Sequence, residues 1–469
     1  MTGAGAYRTY SAMNERTKKL AALDKDYLWH PFTQMTEWLK SEPVIIDSAE
    51  GFYLIDTEGR HYIDGVSSLW CNVHGHRVKQ IDDAIKAQID KVSHSTLLGL
   101  GQTRSIELAE RLVQIAPPGL GKVFYSDSGA TAVEIGLKMA YQYFQNRGEK
   151  NRTKFVALEA SYHGDTIGSV SLGGIKTFHS IFKPLLFETY FVPSPHPYRF
   201  GGTEKECALH SLSRIEGVLS ERFEQIVAVV VEPLVQGAGG IIVHPQGFLS
   251  AVRELTQKYG VLLIADEVAT GFGKTGRMFG CEAEQVSPDI MCLGKGITGG
   301  YLPLAATLTT QEIFDAFLGD VTEHKTFYHG HTYTGNALAC AAALASLDLF
   351  EQNKVLESLP AKIELIRQYF SNIGELPFVG DIRQCGLMGG IEIVKDKSSK
   401  ESFPPGRRIG SRLCSSMRPA GVMLRPLGDC VVVMPPVAIG LELLEKLLEI
   451  VYRAVKNELP HIIESCDAD

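Results

Sequence analysis

The chain has 469 residues, enough for about two or three domains at roughly 100–200 residues each. Its 45% hydrophobic and 21% charged content is that of a soluble globular protein and excludes disorder over most of the length. The net charge of −8, from 46 basic and 54 acidic side chains without a long single-sign block, excludes a nucleic-acid footprint.

The nine cysteines are odd in number and contain no CxxC pair, which argues against a disulfide framework and against a zinc site. No metal is expected, and a reducing cytoplasm is the expected location. No apolar run approaches the roughly 18–20 residues needed to cross a bilayer, so no membrane partner is expected. Met1 to Tyr10 lack the apolar region of a secretory signal. Arg8, Lys18 and Lys19 would suit a transit peptide, but Glu15, Asp24 and Asp26 oppose one.

In chain order, Asn14 to Asp26 reads as a short charged helix leading into Tyr27-Leu28-Trp29-His30-Pro31-Phe32-Thr33. Two strand-like runs follow, Val44–Asp47 and Phe52–Ile55. Thr57-Glu58-Gly59-Arg60 then turns the chain into His61–Asp64. From about residue 75 to 345 strands alternate with helices. Val123–Tyr125, Lys154–Leu158, Ile226–Glu232, Val261–Asp266 and Asp289–Leu293 are the expected strands, with helices over Ala130–Phe144 and Gly247–Tyr259.

Continuous apolar strands between helices predict a mainly parallel sheet covered on both faces, with ligands beyond the carboxyl ends of its strands. After about residue 346, helices Leu359–Asn372 and Ile409–Ala420, a strand Gly389–Val394, pieces Val422–Arg425 and Val431–Met434 and a last helix Gly440–Asn457 make a smaller α+β unit. The expectation is an α/β protein divided at 1–74, 75–345 and 346–469. The first and last parts would together build the small domain.

Chemistry concentrates at strand exits. Val261-Leu262-Leu263-Ile264-Ala265 runs into Asp266-Glu267, and Asp289-Ile290-Met291-Cys292-Leu293 runs into Gly294-Lys295-Gly296. Either exit alone fits a turn acid or a loop lysine. Together they offer an amine and a carboxylate on one sheet edge, which a pyridoxal-phosphate (PLP) enzyme needs for a Schiff base and for keeping the pyridine nitrogen protonated.

Ser126-Asp127-Ser128-Gly129-Ala130-Thr131 follows a strand and opens a helix, so its free N–H groups suit a phosphate, or simply an ordinary capped helix start. Tyr162, in Ser161-Tyr162-His163-Gly164-Asp165, sits where an aromatic stacks on a ring or packs in a core. Glu232, before the glycine-rich Gln236–Gly240, either orients polar groups near the cofactor or caps a turn. Gly273-Lys274-Thr275 imitates the end of a P-loop, but Val268 stands where that motif needs glycine.

Five separated motifs carry a family resemblance. They are Ser128–Glu134, Tyr162-His163-Gly164, Asp266–Gly273, Gly294-Lys295-Gly296 and His329–Asn336. The chain resembles the class III (subgroup II) PLP aminotransferases of fold type I over nearly its whole length. Leu28–Met35 and Asp64–Trp70 are similar to the biotin-pathway branch, which converts 8-amino-7-oxononanoate (KAPA) to 7,8-diaminononanoate (DAPA).

The resemblance implies that Lys295 carries the cofactor and shuttles the proton, Asp266 partners the ring nitrogen, and Tyr162 stacks on the ring. It implies that Ser128, Gly129 and Ala130 line the phosphate. His331 and Thr332 would reach the phosphate of a neighbouring subunit in a homodimer with shared sites. Gly330 and Arg425 would contact substrate, with Arg425 suited to a carboxylate by its planar fork.

Two departures bear on the amino donor. Members using S-adenosylmethionine often carry Tyr where this chain has Phe32, and Trp-Trp where it has Leu69-Trp70. That combination is more similar to a lysine-using variant, so the donor is S-adenosylmethionine or L-lysine. The alternatives are another aminotransferase of the class, acting on ornithine, 4-aminobutyrate or a diamine, and a non-catalytic scaffold. A scaffold would be marked by loss of Lys295 or Asp266, and both are present.

Overall fold

The computed structural model describes residues 13–467; Met1 to Tyr10, weighed above as a targeting segment, lie outside them. A seven-stranded sheet dominates. Its order is Leu120–Ser126, Ala305–Thr310, Ile290–Leu293, Leu262–Asp266, Ile226–Val231, Lys154–Leu158 and Thr189–Val192. The five strands from Ile290–Leu293 to Thr189–Val192 pair in parallel, and Ala305–Thr310 runs antiparallel to both its neighbours.

The strands read as continuous apolar runs because both faces are covered. Ala228, Val230 and Ile264 pack with Ala132, Val133 and Ala140 of the helix Gly129–Asn146. The alternate residues Val229, Val231, Leu263 and Ala265 pack with Ile215, Leu219, Phe248 and Val252 from two helices on the other face. Burying each such large aliphatic side chain contributes about 1.5–3 kcal/mol. The reversed strand Ala305–Thr310 and the helix Glu204–Arg222 were not foreseen, since small and polar residues dilute their patterns.

The two ends of the chain meet in a second sheet. Ile46–Glu50, Tyr53–Asp56 and His61–Asp64 form an antiparallel ribbon, and Val422–Met423 adds to His61–Asp64 in parallel. A third, antiparallel sheet joins Val379–Cys385, Met388–Ile393, Cys430–Val433 and Arg425–Leu427.

The single strand expected over Val422–Arg425 is therefore two pieces in two sheets, with the buried Leu424 between them. The helix expected to reach Ala420 ends at Ser416 and tightens into a 3-10 turn at Arg418–Ala420. Pro419 lacks an amide donor and disfavours helical backbone before it, which explains the early end. The last helix runs Leu441–Arg453 and continues through a π turn into Leu459–Asp467.

No helix among the described residues is long and apolar enough to cross a membrane, and no group of three or more metal-ligating side chains is found among them. All nine cysteines are free thiols.

Candidate active site

The carboxyl edge of the parallel strands gathers the polar side chains that the sequence pointed to. Asp266 ends its strand, and its neighbour in register is Cys292, three residues before Lys295. Glu232 and Tyr162 leave the two adjacent strands at the same edge. Proximity follows from topology here: residues far apart in sequence exit side by side because their strands are parallel.

Asp266 is buried and fixed from two directions. His163 Nδ1 hydrogen-bonds its Oδ2 at 2.7 Å, and the Val268 amide donates to its Oδ1 at 3.1 Å. Burial pulls the His163 imidazole toward the neutral form, but Asp266, with Glu232 beyond it, outweighs burial and raises its pKa. The carboxylate is thereby oriented toward the site. Its sequence neighbour Glu267 does something different. It accepts from the Gly280 amide at 3.0 Å, the Cys281 amide at 2.8 Å and the Thr270 hydroxyl, tying down the following turn. Both acids therefore cap the following turn, Asp266 through the Val268 amide and Glu267 through Gly280 and Cys281, but only Asp266 also meets His163.

Lys295 begins a 3-10 turn with a left-handed φ of 41°. The glycines beside it are required by close packing. A Cβ on Gly294 would lie 3.1 Å from the Gly129 Cα, and one on Gly296 would lie 2.9 Å from the Phe272 Cβ. The Lys295 amine sits 5.3 Å over the Trp70 ring. Burial lowers its pKa, and the negative potential of Asp266 and Glu232 offsets only part of that. An amine less costly to deprotonate is the nucleophile and base that Schiff-base chemistry needs.

Ser128 caps the 18-residue helix Gly129–Asn146, exchanging hydrogen bonds with Thr131. The amides of Gly129 and Ala130 open the helix and have no intrahelical acceptor, so they present an anion site reinforced by the helix dipole. A Cβ on Gly129 would lie 2.4 Å from Val268 Cγ1, so only glycine fits this approach. The helix start therefore both caps and remains open to an anion.

Tyr162 donates through its hydroxyl to Asp165 at 2.6 Å and through its amide to Glu232 at 3.2 Å. Burial, and then Asp165, raise its phenol pKa, keeping it neutral. Its ring lies 6.4 Å from Phe32, which also touches Phe178 at 5.4 Å. Glu232 accepts the Gly237 amide at 2.8 Å, and burial pushes its pKa up to about 7, with Asp266 adding to the effect.

The remaining candidates lie at the rim. Leu69 is exposed beside Trp70. Arg425 is exposed, and its register partner Val432 shares an apolar cluster with Trp70. Gly330, His331 and Thr332 lie on the segment 321–336. His331 Nδ1 hydrogen-bonds Asp127 Oδ2 at 2.7 Å, which brings that segment against the start of the Gly129–Asn146 helix. Sequence reasoning gave no role to His163, although it stands inside the Tyr162-His163-Gly164 motif; its partnership with Asp266 spans 103 residues and shows only in three dimensions.

These residues fit pyridoxal phosphate. The site offers a buried carboxylate held by two donors, an amine with lowered pKa, a helix start narrowed by the Gly129–Val268 contact, and an adjacent aromatic ring.

Comparison with known proteins identifies the family. A model of the family "Aminotransferase class-III" matches residues 35–455. The adenosylmethionine-8-amino-7-oxononanoate aminotransferase of Geobacter sulfurreducens is 52% identical, over 92% of this chain and 96% of its own. The crystal structure of the enzyme of that name from Methanocaldococcus jannaschii superposes with a TM-score of 0.90 at 48% identity, covering 94% of this chain and 99% of that one. An amine transaminase from an uncultivated Pseudomonas species, in its PLP-bound form, gives a TM-score of 0.87 at 34% identity over 92% of this chain and 98% of that one. The chain belongs to the class III aminotransferases, PLP-dependent transaminases of fold type I.

Proposed function

We propose that the protein transfers an amino group to KAPA, giving DAPA, the reaction of biotin biosynthesis. The observation that carries the site assignment is the exit of Asp266 and Lys295 from neighbouring parallel strands. The acceptor assignment draws its support from relatives about half identical over most of the chain that bear the KAPA-aminotransferase name.

Pyridoxal phosphate, when bound, would supply an electron sink. Asp266, steadied by His163, would partner its ring nitrogen. Lys295 would hold the cofactor through its amine and, once freed, would serve as the base that moves the proton. Tyr162 would pack against the ring, and Ser128, Gly129 and Ala130 would hold the phosphate. Arg425 pairs with the KAPA carboxylate, while Phe32, Leu69, Trp70 and Gly330 shape the substrate pocket.

In this reading the enzyme is a homodimer, with His331 and Thr332 reaching the phosphate of the neighbouring subunit's site. The exposed apolar side chains Leu98, Leu100, Ile106 and Tyr328 support such a face. The small domain of the 1–74, 75–345 and 346–469 division is built, among the described residues, from 13–74 and 346–467. The free thiols suit a reducing cytoplasm.

The names of the relatives favour S-adenosylmethionine as donor. One observation favours L-lysine: Phe32 meets Tyr162 with no hydroxyl of its own, and Leu69 leaves a single indole at the rim. A donor screen decides. The purified protein is given KAPA with each donor separately and DAPA is measured, with ornithine and 4-aminobutyrate tested against 2-oxoglutarate. DAPA is expected with one donor, and none with either overturns the proposal.

A further inference from the structure

The Gly273-Lys274-Thr275 run, set aside as a nucleotide motif, holds a lysine that is 1% exposed. No carboxylate touches it among the described residues. Its Nζ donates to Ser67 Oγ at 2.6 Å, to the Pro435 carbonyl at 3.2 Å and to the Asn72 carbonyl at 3.4 Å. Ser67 Oγ in turn donates a hydrogen bond to the Met434 carbonyl at 2.6 Å. One amine therefore ties the turn 67–72 to the chain around Pro435. Burying an amine without a charged partner is costly, so a site that retains one needs a reason.

That turn is strained. Ser67, Ser68 and Trp70 have φ of 52°, 62° and 66°, all left-handed and none glycine. Such residues cost about 1–3 kcal/mol each and persist only where their surroundings over-determine them. Ser68 is held independently: its amide and hydroxyl donate to Asp64 at 2.7 and 2.9 Å. Ser67 is held by Lys274 and Met434. What the turn delivers is Trp70, whose ring lies 5.3 Å below the Lys295 amine. The ring also abuts Gly237, where a Cβ would come within 3.0 Å of it.

We propose that Lys274 is a positioning residue for amino transfer: its amine pins the strained turn that presents the Trp70 indole to Lys295. The inference rests on Lys295 being the reacting amine. Without the Lys274 amine, the Ser67 hydroxyl and two buried carbonyls lose their donor, and the Ser67 end of the turn relaxes toward ordinary φ. The indole then moves from beneath the amine while Ser68 stays anchored to Asp64. The effect falls on turnover and, because Trp70 is also placed in the substrate pocket, on substrate binding as well.

The test uses the full chain carrying Trp29→Phe and Trp38→Phe, which leaves Trp70 as the only one of three tryptophans. Acrylamide quenching of its fluorescence is read without substrate, on cofactor-free and PLP-loaded protein, in the parent and in Lys274→Met and Ser67→Ala. The quenching constant of Lys274→Met is expected to rise about two-fold as an indole now 8% exposed gains solvent contact. Its kcat falls about 10–100-fold, the scale of an ångström-sized misplacement. Ser67→Ala shifts both readings the same way by a smaller factor, and it decides alone if Lys274→Met does not fold.

Unchanged Trp70 quenching overturns the proposal even if kcat drops, because the loss would then not pass through the turn. Changed quenching with unchanged kcat overturns it as well. A parent protein inactive with every donor and acceptor would instead fault the proposed reaction, and the quenching shift would still report on the turn.

Discussion

Glu232 offers the sharpest quantitative test, in the substitution Glu232→Gln. Its carboxyl is 4% exposed, and burial raises its pKa from an ordinary 4.5 to about 7. The folded state therefore holds the extra proton between these values. Stability is greatest below pH 4.5 and falls as pH rises toward and through 7. At about 1.4 kcal/mol per pH unit, the charged form costs the fold about 3 kcal/mol at pH 8 and under about 1 kcal/mol at pH 5.

Glutamine cannot ionise, so it escapes this cost. It does forfeit one of the two amide hydrogen bonds from Tyr162 and Gly237, because its NH2 group cannot accept. That loss is about 1–3 kcal/mol at either pH. The net effect at one pH can therefore take either sign. The difference between the two pH values is about 2–3 kcal/mol in favour of Glu232→Gln at pH 8. Urea unfolding of cofactor-free parent and variant at pH 5 and pH 8 measures it. Equal changes at both pH values would refute the assignment of a carboxyl held near neutrality.

Further expectations follow from other contacts. Lys295→Ala should abolish turnover and the visible band formed on adding pyridoxal phosphate; retained steady-state amino transfer would sink that residue's role. Gly129→Ala drives a methyl to within 2.4 Å of the stiff Val268 side chain, so a loss of about 1–3 kcal/mol and weaker PLP binding in an absorbance titration are expected. Arg425→Ala should raise the KM for KAPA about 10–100-fold, the value of a charged hydrogen-bonded pair, while leaving the band with pyridoxal phosphate unchanged. Burial lowers the Lys274 pKa to about 7 from 10.5, so the unfolded chain binds the extra proton in that window and stability rises with pH across it. Lys274→Met should flatten that slope, read by thermal unfolding from pH 7 to 10.

Much of the fold was legible because its signals are local. The parallel sheet announced itself through runs such as Ile226–Val231, which are apolar at every position when both faces are covered. The helix expected over Ala130–Phe144 runs Gly129–Asn146 with its capped start, and the exits at Asp266 and Lys295 were visible as a charged residue after a buried run. The split of Val422–Arg425 between two sheets was not, since which sheet a short strand joins depends on partners hundreds of residues away.

The sequence by itself determined the sheet-and-helix alternation, the chemical types at the strand exits and the motifs that place the chain in its family. Only the tertiary structure decided how the acids divide their work. Asp266 and Glu267 are neighbours in sequence, yet the strand ends at Asp266, so one meets His163 at the site while the other, already in the turn, accepts from Gly280 and Cys281. It also decided the fate of Lys274. In the sequence that residue resembles a phosphate-binding lysine, but packing turns it away from solvent onto Ser67 and Pro435. What a buried amine does is set by the acceptors the fold places around it, and those come from chain segments no local pattern connects.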